Sequence, residues 1–359
     1  MSISRLKITN FRNLSFIDIN LHEKYNLFYG INGSGKTSLL EAIHCLSVGR
    51  SFRSHLLSRI IQYNAEKFSI FGEIKHNDGV ISSGIERGND TGTIKIGGEA
   101  VSSCAELAKL LPLQLINYNG YKLLEQAKFR RRFLDWVLFH VEHQFFALWK
   151  RLNRLIKQRN AALSDQNMNS NILIWNAELA QISMEIHILR EQYANKLIDI
   201  IKSLIIKIFD NFEINIDYFR GWGSDSDLNF ILNDSIEQDR SSGFTHFGAH
   251  RADLAFKAKN IPVHDGLSRG QQKILFFIIS LAQGILFEQL THKKCVYLID
   301  DFSAELDDIK KQKIAEILEN LNAQIFVTGL TSTELSEFFP NNYKMFHVEH
   351  GEIKHKKNS

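Results

Sequence analysis

The stretch Gly30-Ile-Asn-Gly-Ser-Gly-Lys-Thr37 constrains this chain more than any other. An apolar run, Tyr25–Tyr29, precedes it, and an apolar-periodic run, Ser38–Leu46, follows, so the region reads as strand, loop, helix. The spacing, G-x-x-x-x-G-K-T, is that of a phosphate-binding P-loop. Gly30, Gly33 and Gly35 permit backbone angles that turn successive N–H groups toward one anion. The helix that follows adds the positive end of its dipole at the same place. Ile31, Asn32, Ser34 and Ser38 belong to the same candidate cradle. Lys36 is placed to reach the β/γ-phosphates, and the Thr37 hydroxyl to ligate Mg²⁺. The bland alternative is a Gly-rich turn ending in a chance Lys-Thr; the flanking strand and helix argue against it.

Composition excludes little but sets bounds. The 359 residues suit one large domain or two, and 44% hydrophobic with 23% charged residues is ordinary for a globular chain. A net charge of +3 singles out no partner. Cys45, Cys104 and Cys295 are scattered, so they suggest neither a metal pattern nor a disulfide framework, and a reducing cytoplasm fits. The start, Met1–Lys7, has no apolar signal-peptide core. The densest apolar run, Ile274–Ala282, is far short of the ~20 residues of a membrane span, so no membrane is expected.

Residues 3–9 and 14–21 alternate apolar and polar, as half-buried strands do, around a turn at Phe11-Arg-Asn13. Arg12 is either turn chemistry or an arginine aimed at nucleotide. The P-loop helix carries Leu39, Leu40, Ile43 and Leu46 at core spacing and stops near Gly49. Arg50-Ser-Phe-Arg-Ser54 then reads as a solvated loop or as a contact to phosphate or DNA. From Lys67 to Val101 the pattern is β. Phe68–Ile74, Val80–Ile85 and Thr93–Ile96 are strands; Asn77-Asp-Gly79, Gly88-Asn-Asp90 and Gly97-Gly98 are turns.

Residues 122–163 and 172–209 read as helices joined by polar Ser164–Asn171, an antiparallel helical hairpin at most ~60 Å long. Its first half is basic. Lys122, Lys128, Arg130, Arg131, Arg132, Lys150, Arg151, Arg154, Lys157 and Arg159 face only Glu125, Asp135 and Glu142. That is a nucleic-acid footprint or a solvated helix face, with Arg130, Arg131, Lys150, Arg151, Arg154 and Lys157 the candidate DNA contacts. Phe145, Phe146 and Trp149 read as helix-packing core. Further on, Gly248-Ala-His-Arg-Ala-Asp253 resembles a catalytic or phosphate-facing turn.

The C-terminal third supplies a second set of motifs. Leu267-Ser-Arg-Gly-Gln-Gln-Lys273 opens an apolar helix running to Leu290. Ser268 is a good N-cap, Gly270 lets backbone approach an anion, and Gln271 follows in the same turn. Cys295–Asp301 is a buried strand ending in two carboxylates, the Walker B form: Asp300 would hold Mg²⁺ and Asp301 would orient or deprotonate the attacking water. Phe302–Asp307 follows, and a further strand, Ala323–Thr328, ends in a hydroxyl. Strand ends that face one crevice are where open α/β sheets bind ligands.

In that order, P-loop, Leu-Ser-x-Gly-Gln signature, Walker B and Ser-Ala-Glu-Leu-Asp loop resemble the ABC-type ATPases. The wide interval between Thr37 and Leu267 resembles their SMC-like branch rather than transporter subunits. Within that branch, Leu6–Asn13, Gly49–Ser54, Arg130–Asp135, Gly248–Arg251 and Leu267–Lys273 resemble the RecF family over nearly the full length. The resemblance implies an α/β fold: a P-loop ABC-type ATPase head, with a mixed sheet plus an antiparallel β subdomain, over 1–120 and 245–359. An inserted α-helical arm and return segment would occupy 121–244. It implies an ATP- and Mg²⁺-dependent, DNA-binding ATPase of recombinational repair and replication, acting at double-stranded, gapped or single-strand junction DNA. RecO and RecR would be partners, RecA loading and the SOS response the outcome, and the cytoplasm the location. Ser268 and Gly270 would meet the γ-phosphate bound in the opposite subunit of an ATP-dependent homodimer.

Several residues depart from the family pattern. Ala249 and Ala252 stand where the family carries Pro and an acid, and Asn119-Gly120-Tyr121 where it carries Pro-Glu-Asp. Gln114 is the nearest candidate for a Q-loop glutamine. Thr328 replaces the transporter histidine and Asp301 a longer Glu, which implies slow hydrolysis. Two alternatives stand beside this reading: a transporter ATP-binding subunit, and a clamp that binds ATP without turning it over.

Overall fold

The alternation at the N-terminus becomes a hairpin, β1 (Ser2–Phe11) with β2 (Leu14–Asn20), turned by Arg12 and Asn13. The structure, a computed structural model, describes residues 1–76, 79–89, 92–164, 172–209, 213–223, 226–302 and 306–354. Two units form, 1–120 with 273–359, and 121–272. The expected turn at Asn77-Asp78, Asp90, the loop 165–171, Ser303-Ala-Glu305 and the tail 355–357 lie outside the described residues.

In the first unit, β3 (Tyr25–Tyr29) leads to α1 (Lys36–Val48), which ends at Gly49 in the left-handed conformation. β4 (Lys67–His76), β5 (Gly79–Gly88), β6 (Gly92–Ile96) and β7 (Glu99–Ala100) extend the hairpin into an antiparallel sheet ordered β2-β1-β4-β5-β6-β7. Gly97 and Gly98, with φ of +60° and +90°, form the β6–β7 hairpin turn, as the sequence implies. α2 (Cys104–Leu110) and β8 (Leu113–Ile116) complete this half.

The second unit begins with α3 (Lys122–Glu125), α4 (Ala127–Val141), α5 (Phe145–Leu163) and α6 (Ile172–Ile208). The expected helical hairpin is present, but its first limb is three helices. Gln126 and Glu142 take extended backbone angles that interrupt it. Only α6, with 37 residues, approaches the upper length, at ~55 Å. β9 (Ile214–Phe219), α7 (Leu228–Asp234), α8 (Ile236–Ser242), β10 (Asp253–Ala258), β11 (Ile261–Pro262) and α9 (Val263–Gly266) follow. β11-β10-β9 is a small antiparallel sheet. Residues 245–272, placed with the head from sequence, cluster instead with this unit, because β10 pairs along its length with β9 and Asp253 pairs with Arg130.

α10 (Arg269–Thr291) contributes residues 273–291 to the first unit. It is long and apolar enough to cross a membrane by length and composition, more than the run Ile274–Ala282 suggested, yet 72% of its most apolar window is buried, as in a core helix. β12 (Val296–Ile299), α11 (Asp308–Asn320), β13 (Gln324–Gly329), α12 (Ser332–Phe338), β14 (Tyr343–Glu349) and β15 (Glu352–Lys354) close the chain. The second sheet is ordered β15-β14-β3-β13-β12-β8, parallel except for β15. β12 and β13 are buried along their whole length, which explains their continuous apolar runs.

α1 lies between the two sheets. Leu39, Leu40, Ile43 and Leu46 share one core with Ile8 and Ile70 of the first sheet and Phe28, Leu298 and Phe326 of the second. Each such side chain contributes roughly 1.5–3 kcal/mol. Gly72 permits this approach, since a Cβ there would sit 2.5 Å from Leu46 Cδ2. This packing fixes the helix whose first turn carries Lys36 and Thr37.

Candidate functional site

β3 delivers the loop 30–35 at its carboxyl end, and β14 lies beside it. A Cβ on Gly30 would fall 2.2 Å from the Val348 carbonyl oxygen, so only glycine lets the chain leave β3 there. Gly35, at φ +118°, is the N-cap of α1 and tolerates no L side chain without strain. Gly351 N–H donates to the Ser34 carbonyl at 2.8 Å. From the other side, Asn13 accepts from Ser38 Oγ at 2.8 Å.

Lys36 Nζ donates to the Gly30 and Ile31 carbonyls at 2.6 and 2.9 Å. Burial lowers its pKa, opposed by the charges of Asp301 and Asp300. Thr37 Oγ1 donates to Asp300 Oδ1 at 3.0 Å. Thr328, ending the strand between β3 and β12, donates to the same Oδ1 at 2.9 Å. Its hydroxyl also accepts from Asp301 N–H at 2.8 Å. Burial holds the Asp300 carboxyl above its ordinary range, opposed by the hydroxyls of Thr328 and Thr37 and by the charge of Arg53. Asp301 is exposed, in the left-handed region at φ +57°, and Lys273 Nζ donates to its carbonyl at 3.1 Å.

These residues fit a magnesium polyphosphate. The loop is rich in donors, and Ser34 Oγ is buried with no hydrogen-bond partner among the described residues. A threonine hydroxyl beside a half-buried carboxylate is an oxygen pair suited to a hard cation. Among the described residues no group of three or more His, Cys, Asp or Glu could hold a metal. Mg²⁺ needs none when phosphates and waters complete its shell.

Lys36, Thr37, Asp300, Asp301 and Thr328 meet at the end of the P-loop, while three side chains expected at the ligand are engaged within the chain. Arg12 is tied to the buried Glu41, with Nη2 2.6 Å from Oε1, and to the Arg59 carbonyl. Thr328 is 1% exposed and its hydroxyl serves the two aspartates rather than a ligand. The Ser38 hydroxyl braces Asn13, leaving only its main chain to the cradle. Gln114 is no Q-loop residue: it is buried in β8 and donates to Gln283 at 2.8 Å. The position beside Asp300 at the end of β8 is Asn117, since Ile116 pairs with Ile299.

In the second unit, Ser268, Gly270 and Gln271 open α10. Gln271 N–H donates to Ser268 Oγ at 3.3 Å and Ser268 N–H to Gln271 Oε1 at 2.9 Å, a reciprocal capping box. The turn at 248–253 is structural, not catalytic. Arg251 and His250 bond the Thr245 carbonyl, and burial lowers His250 to about 4. Two of the expected DNA contacts also fall away. Arg130 pairs with Asp253 at 2.7 Å, and Arg131 donates to the Ala252 carbonyl at 2.7 Å. Lys150, Arg151, Arg154 and Lys157 remain exposed. Arg53 lies 3.8 Å from Glu41, and its charge acts on Asp300. Its sequence signal is the loop Arg50–Ser54, which reads as either solvated or phosphate-facing.

A family profile described as RecF/RecN/SMC N terminal domain matches residues 2–354. The chain is 42% identical over 356 residues to the DNA replication and repair protein RecF of Psychromonas ingrahamii, covering 98% of this chain and 99% of that one. The chain belongs to the RecF family. RecF of Haemophilus influenzae is also 42% identical, over 355 residues, with 98% and 99% covered. Among solved structures, that of the recombination mediator protein RecF with ATP in the RecFOR pathway superposes with a TM-score of 0.86 at 25% identity, covering 98% of this chain and 97% of that one. The fold is therefore that of an ABC-type ATPase head of the RecF/SMC kind, and the transporter-subunit alternative is set aside.

Proposed function

We propose that this RecF-family chain is an ATP-driven DNA switch of recombinational repair and replication. The observation that carries it is the hydrogen-bonded set Thr37–Asp300–Thr328 at the mouth of the P-loop, which joins the two halves of a hydrolytic site. Gly30 to Thr37 and the Ser38 main chain hold the phosphates, with Lys36 the cation among them. Thr37 and Asp300 hold Mg²⁺, which when bound neutralises phosphate charge. Asp301 aims the attacking water. Its side chain is shorter than Glu and no imidazole stands nearby at 328, which supports slow turnover, stimulated by DNA. Ser268, Gly270 and Gln271 present a preformed helix start to the γ-phosphate of a second copy, making ATP the link in a homodimer. Double-stranded or gapped junction DNA is the ligand of that dimer. RecO and RecR are the partners, RecA loading and the SOS response the outcome, in the cytoplasm.

Sedimentation of Asp301→Asn, with and without Mg²⁺-ATP and duplex DNA, tests the reading. The variant should be monomeric alone and become a DNA-bound dimer with ATP, while Lys36→Met stays monomeric throughout. A nucleotide-indifferent monomer that ignores DNA would overturn the proposal.

A further inference from the structure

α5 and α6 leave a groove of about 530 Å³ lined by Lys150, Arg151, Arg154, Gln158, Trp175 and Glu178. Other arginines of the second unit are engaged internally: Arg130 with Asp253, Arg159 with Asp239, Arg190 with Asp135. The cations at the groove are exposed, and Lys157 continues the face of Lys150 and Arg154 along α5. The floor is apolar. Trp175 is half-buried against Ala162, Leu163 and Ile172, beside the buried Leu155. Further aromatics neighbour these cations on α5. Lys150 Nζ lies 4.2 Å from the Phe146 ring centre, and Phe146 stacks on Trp149, which is 39% exposed rather than core. One acid crosses the groove, Glu178 accepting from Arg151 Nε at 2.6 Å.

We infer that this groove takes unpaired bases of a single DNA strand, one or two stacked on Trp175, with the flanking phosphates on Lys150, Arg154 and Lys157. The inference rests on the DNA-binding reading above and names the strand state that this face selects. A basic channel floored by an aromatic ring binds single strands with little sequence preference, because every base has a π-face. A cavity of this volume encloses a small ligand, not a duplex, whose base faces are hidden in any case. An acidic peptide would meet the same cations but leave the indole without a planar partner. Arg151 is paired with Glu178, so a phosphate could reach that cation only by displacing the carboxylate.

The test is fluorescence anisotropy of the full chain with Mg²⁺-ATP, using labelled oligo(dT) and a labelled duplex of equal length. Trp175→Ala should weaken oligo(dT) binding tenfold or more and change duplex binding less than twofold, while Trp175→Phe keeps most single-strand affinity. Glu178→Gln should tighten oligo(dT) binding and steepen its salt slope by about 0.7, one further phosphate contact. Equal losses on both DNAs would overturn the inference. So would Trp175→Phe as damaging as Trp175→Ala, or a poly-glutamate peptide that displaces oligo(dT) and itself depends on Trp175. Wild-type protein that binds duplex but not oligo(dT) sinks this inference alone; protein that binds neither sinks the DNA-binding reading beneath it.

Discussion

Replacing Arg159 with Met separates charge that binds from charge that holds the fold. The guanidinium is wholly buried; Nη1 reaches Asp239 Oδ2 at 2.6 Å and Thr245 Oγ1 at 2.8 Å, and Nε reaches Asn176 Oδ1 at 2.7 Å. Asp239 is equally buried, and among the described residues its carboxylate keeps only His246 when the arginine is removed. Breaking a buried pair from one side costs about 3–5 kcal/mol, because it strands the remaining charge. At roughly 2–4 °C per kcal/mol for a body of this size, the melting temperature should drop about 10 °C. Urea unfolding followed by circular dichroism measures it. Arg159→Met/Asp239→Leu should recover much of the loss, since neither charge is then left alone. At a temperature where the variant is folded, the salt slope of DNA binding should match wild type. A stability loss below about 1 kcal/mol, or a shallower salt slope, would refute the reasoning.

Two further outcomes follow from titrating groups in the first unit. Burial raises the Asp300 carboxyl above its ordinary range, so its charge at neutral pH weighs against the fold. Asp300→Asn should therefore melt above wild type while losing the stabilisation that Mg²⁺-ATP brings, read by thermal shift; a lower melt with that stabilisation intact contradicts it. Burial lowers His44 to about 4, against about 6.5 in an unfolded chain. The unfolded state therefore takes up protons first. Stability from this group is complete above about pH 6.5 and is lost as pH falls toward 4, by at most about 3 kcal/mol. His44→Gln should flatten the stability–pH curve in that window; an unaltered curve assigns the acid sensitivity elsewhere.

What was legible in the sequence was chemistry whose partners are close along the chain. Gly30 to Thr37, the Ser268–Gln271 cap and the strand ending at Asp300 each carry their geometry in a local spacing. Ion pairs do not. Arg12, Arg130 and Arg159 find Glu41, Asp253 and Asp239 far along the chain, so a local count of charges sees cations without acids. The helix breaks were hidden for the same reason. Gln126 and Glu142 are good helix formers, yet both are extended, and Glu142 accepts from Tyr193 on α6. Gln114 shows the reverse error. A glutamine near a strand end invites a ligand role, but its partner Gln283 sits on a helix that no local pattern connects to it.

Thr328, expected from sequence at the ligand, bonds both aspartates, and on the proposed function that places it in control of turnover. Asp301 holds a left-handed backbone at φ +57°, a region that Asp tolerates better than most residues but that is still uncommon. Two bonds hold it here: Asp301 N–H to Thr328 Oγ1 at 2.8 Å and Phe302 N–H to the Thr328 carbonyl at 3.1 Å. Thr328→Val keeps the shape and the second bond and removes the first, along with one of the two hydroxyls on Asp300. An orphaned N–H at a partly buried position costs about 1–3 kcal/mol. The larger effect should fall on turnover. On the proposed function, the P-loop is held by the Ser38–Asn13 and Gly351–Ser34 bonds, which do not involve the Thr328 hydroxyl, so KM for ATP should change little. Asp301 would lose its fixed direction toward the attacking water, so kcat should fall tenfold or more, and Thr328→Ser should restore it. Wild-type turnover in Thr328→Val, or equal damage in Thr328→Ser, would mean that Asp301 is positioned by something other than this hydroxyl.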